Sequence, residues 1–175
     1  MNKALFLDRD GVINVDHGYV YESDSVQFID GLFELCRHAQ HLGFRIIIVT
    51  NQSGIARGYY SQHQFYSLMA WMRQQFHHQR IAITGIYHCP HHPALTGACP
   101  CRKPKDGMLL KAIRDWHINP QKSLMIGDNE SDMQAAKKAS ISRRLLLHSH
   151  QPKRQTCATA VINNHKCALQ YLNHL

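Results

Sequence analysis

Four short stretches of the sequence carry side chains suited to one kind of chemistry. Asp8 and Asp10 stand two positions apart in Leu7-Asp8-Arg9-Asp10-Gly11, directly after an apolar run. Thr50 and Ser53 close a second apolar run, and Asp128 and Asp132 follow a third, in Gly127-Asp128-Asn129-Glu130-Ser131-Asp132. Lys103 lies between the last two, in Arg102-Lys103-Pro104. Carboxylates gathered in this way suit a hard divalent cation such as Mg²⁺, which takes a few protein oxygens and keeps several waters. A hydroxyl and an ammonium beside them suit a phosphoryl group, one as hydrogen-bond donor and one as charge. That inventory is what phosphoryl transfer through a spread-charge transition state requires. Taken singly, each pair is equally a capping motif, since Asp, Ser and Thr are favoured where strands turn into helices. The three strand ends taken together point to chemistry.

A second cluster is Cys89-Pro90-His91-His92-Pro93, followed by Cys99-Pro100-Cys101. Three thiolates and an imidazole within the thirteen residues 89–101 satisfy a tetrahedral Zn²⁺ site. Four protein ligands leave no open position, so zinc here is structural. Spacing does not choose between His91 and His92. Cys36, Cys157 and Cys167 stand apart, and Cys36 falls on the apolar stripe of a helical pattern.

These side chains need elements that bring them to one edge. The apolar run before Asp8 is too short for a buried helix and reads as an interior parallel strand. Phe44 to Val49, Ile81 to His88, Ser123 to Ile126, Arg144 to Leu147 and Ala160 to Asn163 read the same way. Helical patterns separate them: Leu32 to Leu42, ended by Gly43, then Gln62 to His78, Gly107 to Trp116, one through Ala139, and one at the end of the chain. Asn14 to Ser25 is a polar loop or flap beside the acidic pair. The prolines of the Cys/His segment argue against helix or strand there. Strands alternating with helices predict an α/β fold, a doubly wound and mostly parallel sheet, with 1–175 forming one domain.

Composition narrows the partners. No apolar run is long enough to cross a bilayer. Charges at Asp8, Arg9 and Asp10 arrive before a signal peptide can build. A cytoplasmic, membrane-free monomer is expected. The net charge of +8 favours an anionic partner. Its basic residues are scattered, however: only Arg143-Arg144 and Lys153-Arg154 pair, with no aromatic ladder, which argues against nucleic acid.

In order, Asp8-x-Asp10-Gly-Val, Thr50, Lys103 and Gly127-Asp128-x-x-x-Asp132 resemble the four motifs of the haloacid dehalogenase superfamily of phosphatases. The resemblance implies a Rossmann-like fold and an aspartyl-phosphate mechanism, and the chain leaves little room for a large cap. Asp8 would be the nucleophile, and Asp10 would protonate the leaving alkoxide and then activate water. Thr50 and Lys103 would hold the phosphoryl group. Mg²⁺ would sit on Asp8, the Asp10 carbonyl and Asp128, with Asp132 supporting them.

The zinc loop running into Arg102-Lys103-Pro104 is similar to the branch of that superfamily acting on heptose bisphosphate and histidinol phosphate. In that branch the position of His91 supplies the fourth ligand, beside Cys89, Cys99 and Cys101. Substrate contacts implied by the branch are Arg9, then Asp16, His17, Gly18 and Tyr19 in the flap, then Asn51, Gln52 and Ser53 beside Thr50. Arg102 would read a second phosphate through its guanidinium fork. The implied activity is release of the 7-phosphate of heptose 1,7-bisphosphate, in the supply of ADP-heptose for lipopolysaccharide. Histidinol-phosphate hydrolysis is the enzymatic alternative, and a zinc-stabilised nucleic-acid-binding module the non-enzymatic one. Two features depart from the heptose pattern: seven residues separate His91 from Cys99, and Asn129 stands where Lys is common. The resemblance fades after about Leu147.

Overall fold

Apolar runs broken off by Asp, Asn and Gly form the strands of a six-stranded parallel sheet in the computed structural model of the chain, which describes residues 1–147 and 156–173. The strands are β1 (Lys3–Leu7), β2 (Phe44–Asn51), β3 (Ile83–Cys89), β4 (Leu124–Gly127), β5 (Arg143–Leu147) and β6 (Ala160–Ile162). Their spatial order is β3-β2-β1-β4-β5-β6, and every neighbouring pair is parallel. The helices are α1 (Leu32–His41), α2 (Gln62–His78), α3 (Pro93–Thr96), α4 (Gly107–Asp115), α5 (Glu130–Lys138) and α6 (Leu169–Leu172).

The centres of β1, β2 and β4 are continuous apolar runs because both faces of the sheet are covered there. Leu5, Leu7, Ile46 and Ile48 pack with Leu32 and Leu35 of α1 and with Phe65 and Leu68 of α2. The alternate residues Ala4, Phe6, Ile47 and Val49 pack with Leu109 and Ala112 of α4 and with Met133 and Ala136 of α5. Each such side chain contributes about 1.5–3 kcal/mol by leaving water. Cys36 is among these buried residues, on α1.

From β1 the chain winds outward through β2 to β3, then crosses to the other side of β1 for β4. Ligands of open α/β sheets bind beyond the carboxyl ends of the strands at such a reversal. The strands flanking it are β1 and β4, which end immediately before Asp8 and Asp128.

Some boundaries differ from the sequence reading. Ile81 is not in β3, because its N–H closes the end of α2 on the Phe76 carbonyl. The proline-rich Cys/His segment contains one helical turn, α3, with Pro93 at a first-turn position where a missing N–H costs nothing. The terminal helix is one turn, α6, after a 3₁₀ turn at His165–Ala168. Lys153-Arg154 lies outside the described residues. Among those described, no helix is long and apolar enough to cross a membrane.

Candidate active site

Asp8 leaves the end of β1, where its N–H bonds to the Ile126 carbonyl of β4 and so fixes it at the reversal. Asp128 leaves β4, and Asp132 returns from the first turn of α5. Carboxylate oxygens of Asp8, Asp128 and Asp132 all lie within 4.8 Å of one another. Two glycines make this approach possible. A Cβ on Gly11, whose φ is +80°, would meet an Asp128 oxygen at 2.1 Å. One on Gly127 would meet the Asp132 side chain at 2.3 Å. Asn129 caps α5: its side chain accepts from the Ser131 N–H while its own N–H donates to Asp132 Oδ2. The side chain that replaces the expected Lys therefore caps α5, while the backbone at this position holds Asp132.

Lys103 is buried among these acids, 3.0 Å from Asp8 Oδ1 and 2.5 Å from Asp132 Oδ1, and its Nζ also donates to the Val49 carbonyl. Its loop is clamped to β2 by the side chain of Asn51, which accepts from the Lys103 N–H and donates to its carbonyl. Burial works against the ammonium, but Asp132 and Asp8 outweigh it and hold the Lys103 pKa above its usual value. One ammonium cannot neutralise three carboxylates. Burial first, then Asp132, push Asp8 up to about 8 against the pull of Lys103. The same two causes push Asp128 up to about 6. Three oxygens with uncompensated charge, close enough to share one ion, are a donor set that fits a hard divalent cation.

Asp10 is held differently. Arg9 grips its carboxylate with Nε and Nη2 at 2.6–3.0 Å, Asn14 Nδ2 donates to Oδ1 and Gln52 Nε2 donates to Oδ2. Its carboxylate stays outside the three-acid cluster. Arg9, expected to touch substrate, is fully buried and does not line the cleft; its Nη2 bonds Asp10 and the Val20 carbonyl of the flap, while its Nη1 has no partner among the described residues. Thr50, also buried, accepts from Gln52 Nε2, which leaves its own hydroxyl proton free for another acceptor.

These residues surround a cleft of about 450 Å³. Asp8, Asp10, Asp16, Gly18, Tyr19, Thr50, Asn51, Gln52, Ser53, Arg102, Lys103 and Asp128 line it. His17 does not, and Asp132 lies behind the wall. Two lining residues escaped the sequence reading: Ser131, in the first turn of α5, and Tyr60, just before α2. Arg57 was also missed: its Nη2 meets His92 Nε2 at 2.8 Å, beside Arg102. Neither arginine forms a salt bridge among the described residues.

The second cluster sits beyond β3. The sulfurs of Cys89, Cys99 and Cys101 lie 3.2–3.6 Å apart, and His91 Nδ1 is 3.7 Å from Cys89 and 3.3 Å from Cys101. A disulfide needs about 2.05 Å. Four ligands at the zinc distances of about 2.0–2.3 Å place neighbouring donors roughly 3.5–3.8 Å apart in a tetrahedron. The donor set thus has the size of a metal site. His92 is drawn away to Arg57. The Cys89 carbonyl accepts from the Gln52 N–H and Arg102 donates to the His91 carbonyl, which joins this loop to the cleft.

Residues 100–167 match the HAD-hydrolase-like family model. The chain is 46% identical over 156 residues to a D-glycero-beta-D-manno-heptose-1,7-bisphosphate 7-phosphatase of Haemophilus influenzae, covering 87% of this chain and 85% of that one. It is 51% identical over 149 residues to the D-glycero-alpha-D-manno-heptose-1,7-bisphosphate 7-phosphatase of Campylobacter jejuni, covering 85% and 84%. Among solved structures, the D,D-heptose 1,7-bisphosphate phosphatase of B. bronchiseptica, complexed with magnesium and phosphate, superposes with a TM-score of 0.83 at 25% identity, over 98% of both chains.

Proposed function

The chain belongs to the heptose-1,7-bisphosphate 7-phosphatase family of HAD-like hydrolases, and from that premise we propose that it releases the 7-phosphate of D-glycero-D-manno-heptose 1,7-bisphosphate through an aspartyl-phosphate on Asp8. The observation that carries this is the convergence of Asp8, Asp10, Thr50 and Lys103 on one cleft whose rim holds an arginine without a carboxylate partner.

In the first half-reaction an oxygen of Asp8 attacks phosphorus and the bond to the C7 oxygen breaks. Asp10, held by Arg9, Asn14 and Gln52, gives that oxygen its proton. Lys103, 3.0 Å from Asp8, compensates charge gathering on the transferring group, and the free Thr50 proton bonds one of its oxygens. In the second half-reaction Asp10 takes a proton from water, the water oxygen attacks phosphorus, and the bond to Asp8 breaks to give inorganic phosphate. Asp8, Asp128 and the Asp10 carbonyl would hold Mg²⁺, backed by Asp132. When bound it neutralises the carboxylates and shares the charge of the phosphoryl oxygens.

Arg102 reads the phosphate on C1, where a fixed fork of donors matches an anion. Cys89, His91, Cys99 and Cys101 hold a structural Zn²⁺ whose loop carries Arg102 and Lys103 to the cleft. Six unpaired cysteines support a reducing compartment, the cytoplasm. Such an enzyme works as a monomer and supplies the precursor of ADP-heptose for lipopolysaccharide. The test is ³¹P NMR of the bisphosphate during turnover. Disappearance of the C7 resonance with the C1 resonance retained is expected. Arg102→Ala should raise KM for the bisphosphate about tenfold or more, the worth of one charged hydrogen bond, with a smaller change for heptose 7-phosphate. Loss of the C1 phosphate first would contradict the reading.

A further inference from the structure

Asp10 and Thr50 come from different strand ends, yet a single nitrogen holds both. Gln52 Nε2 donates to Asp10 Oδ2 at 3.0 Å and to Thr50 Oγ1 at 2.8 Å. A carboxamide has ends of nearly equal shape and opposite polarity, so what stands at its other end decides which one faces the cleft. That neighbour is Tyr60, whose hydroxyl donates to Gln52 Oε1 at 2.6 Å.

Tyr60 is built into this place. Its ring is 5% exposed and stacks on Tyr21 of the flap, with centroids 5.2 Å apart and planes 13° from parallel. Gly54 makes room for it, since a Cβ there would meet a ring carbon at 2.2 Å. Burial pushes the phenol up to about 12, so the hydroxyl keeps its proton across the physiological range and remains a donor. Gln52 is 2% exposed, too enclosed for water to take over the orienting bond.

We propose that Tyr60 is a positioning residue: its hydroxyl sets the Gln52 amide so that one nitrogen holds the proton-transfer carboxylate of Asp10 and the phosphoryl-binding hydroxyl of Thr50 in register. The roles of Asp10 and Thr50 rest on the function proposed above. With the amide reversed, an oxygen would face the Asp10 carboxylate and the donor would be lost from both partners. Thr50 would then turn its proton onto Gln52 and away from substrate.

The test is Tyr60→Phe, which removes one oxygen and keeps the ring. We expect kcat to fall about tenfold with KM within about twofold, the split of an interaction that orders the reacting groups. The side-chain ¹⁵N–¹H₂ resonances of Gln52 should shift in the substrate-free protein. Gln52→Met, similar in length but without donors, should lower kcat at least as far, and adding Tyr60→Phe to it should cost nothing more. Wild-type kcat and unmoved Gln52 resonances in Tyr60→Phe would overturn the inference. So would effects that multiply in the double variant, which would mean that Tyr60 does not act through Gln52. The resonance shift is read without substrate, so it decides this inference separately. A wild-type protein inactive on the bisphosphate would count against the substrate reading alone.

Discussion

Lys103 meets two carboxylates within 3.0 Å and has a third nearby, and that imbalance sets the behaviour of the site residue by residue. Asp8 is raised by burial and by Asp132, and Asp128 by the same causes. A carboxyl whose folded value lies above its unfolded value binds a proton more tightly when folded. Its contribution to stability is therefore present at low pH and is lost as pH rises from about 4 through the folded value. For Asp8 that window runs up to about pH 8, and for Asp128 to about pH 6. We expect Asp8→Asn to abolish phosphate release yet melt higher than the wild type at pH 8 without metal, with the gain vanishing near pH 4. Mg²⁺ should raise the wild-type melting point at pH 8 more than that of the variant. Equal or lower melting of Asp8→Asn at pH 8 would contradict the account. That these acids gather was legible in the sequence, because Asp8 and Asp128 each follow an apolar run and Asp132 lies four residues further on. The direction of Arg9 was not. It stands between two acids in sequence, but its guanidinium is buried, where Asp10 and the Val20 carbonyl take the donors of Nε and Nη2.

At the scale of elements, the loop from Cys89 to Lys103 is the part of the site with the least packing of its own. Apart from Cys89 its thiols are only partly buried, and α3 is a single turn with no buried residue. The loop is held by the four-ligand cluster, by its ties to Gln52 and Asn51, and at its end by the bonds of Lys103 to Asp8, Asp132 and the Val49 carbonyl. Stripping the metal with a chelator should lower the melting temperature by more than about 5 °C, at the usual 2–4 °C per kcal/mol for a chain of this size. KM should rise with it, because Arg102 and Lys103 ride on the loop, and Cys99→Ser should reproduce both effects. Unchanged melting after metal removal would show that the loop stands without it. The gathering of three cysteines and a histidine was legible from residue type and spacing; which histidine joins them was not. In the structure His92 is turned aside by the Arg57 guanidinium, a contact between residues 35 apart that no local pattern encodes. The capping role of Asn129 was equally hidden, since a departure from an expected Lys says what is missing and not what is gained.

For the whole molecule, the sheet order places the acidic ends of β1 and β4 at the reversal, with the end of β2 on one side. Alternation of apolar runs and helical stripes made that architecture readable, because the stretch of a strand buried on both faces is apolar. The Tyr60–Gln52–Asp10 chain was not readable, since it depends on which end of an amide faces which neighbour. A basic chain with Arg102 lining an acidic cleft suits an anionic substrate. The most direct test is Mg²⁺-dependent phosphate release from heptose 1,7-bisphosphate and from histidinol phosphate, measured side by side as kcat/KM. We expect a preference of at least about a hundredfold for the heptose, roughly 2.7 kcal/mol in the transition state, and no release by Asp8→Asn. Equal or greater activity on histidinol phosphate, or turnover that survives loss of the Asp8 carboxylate, would contradict it.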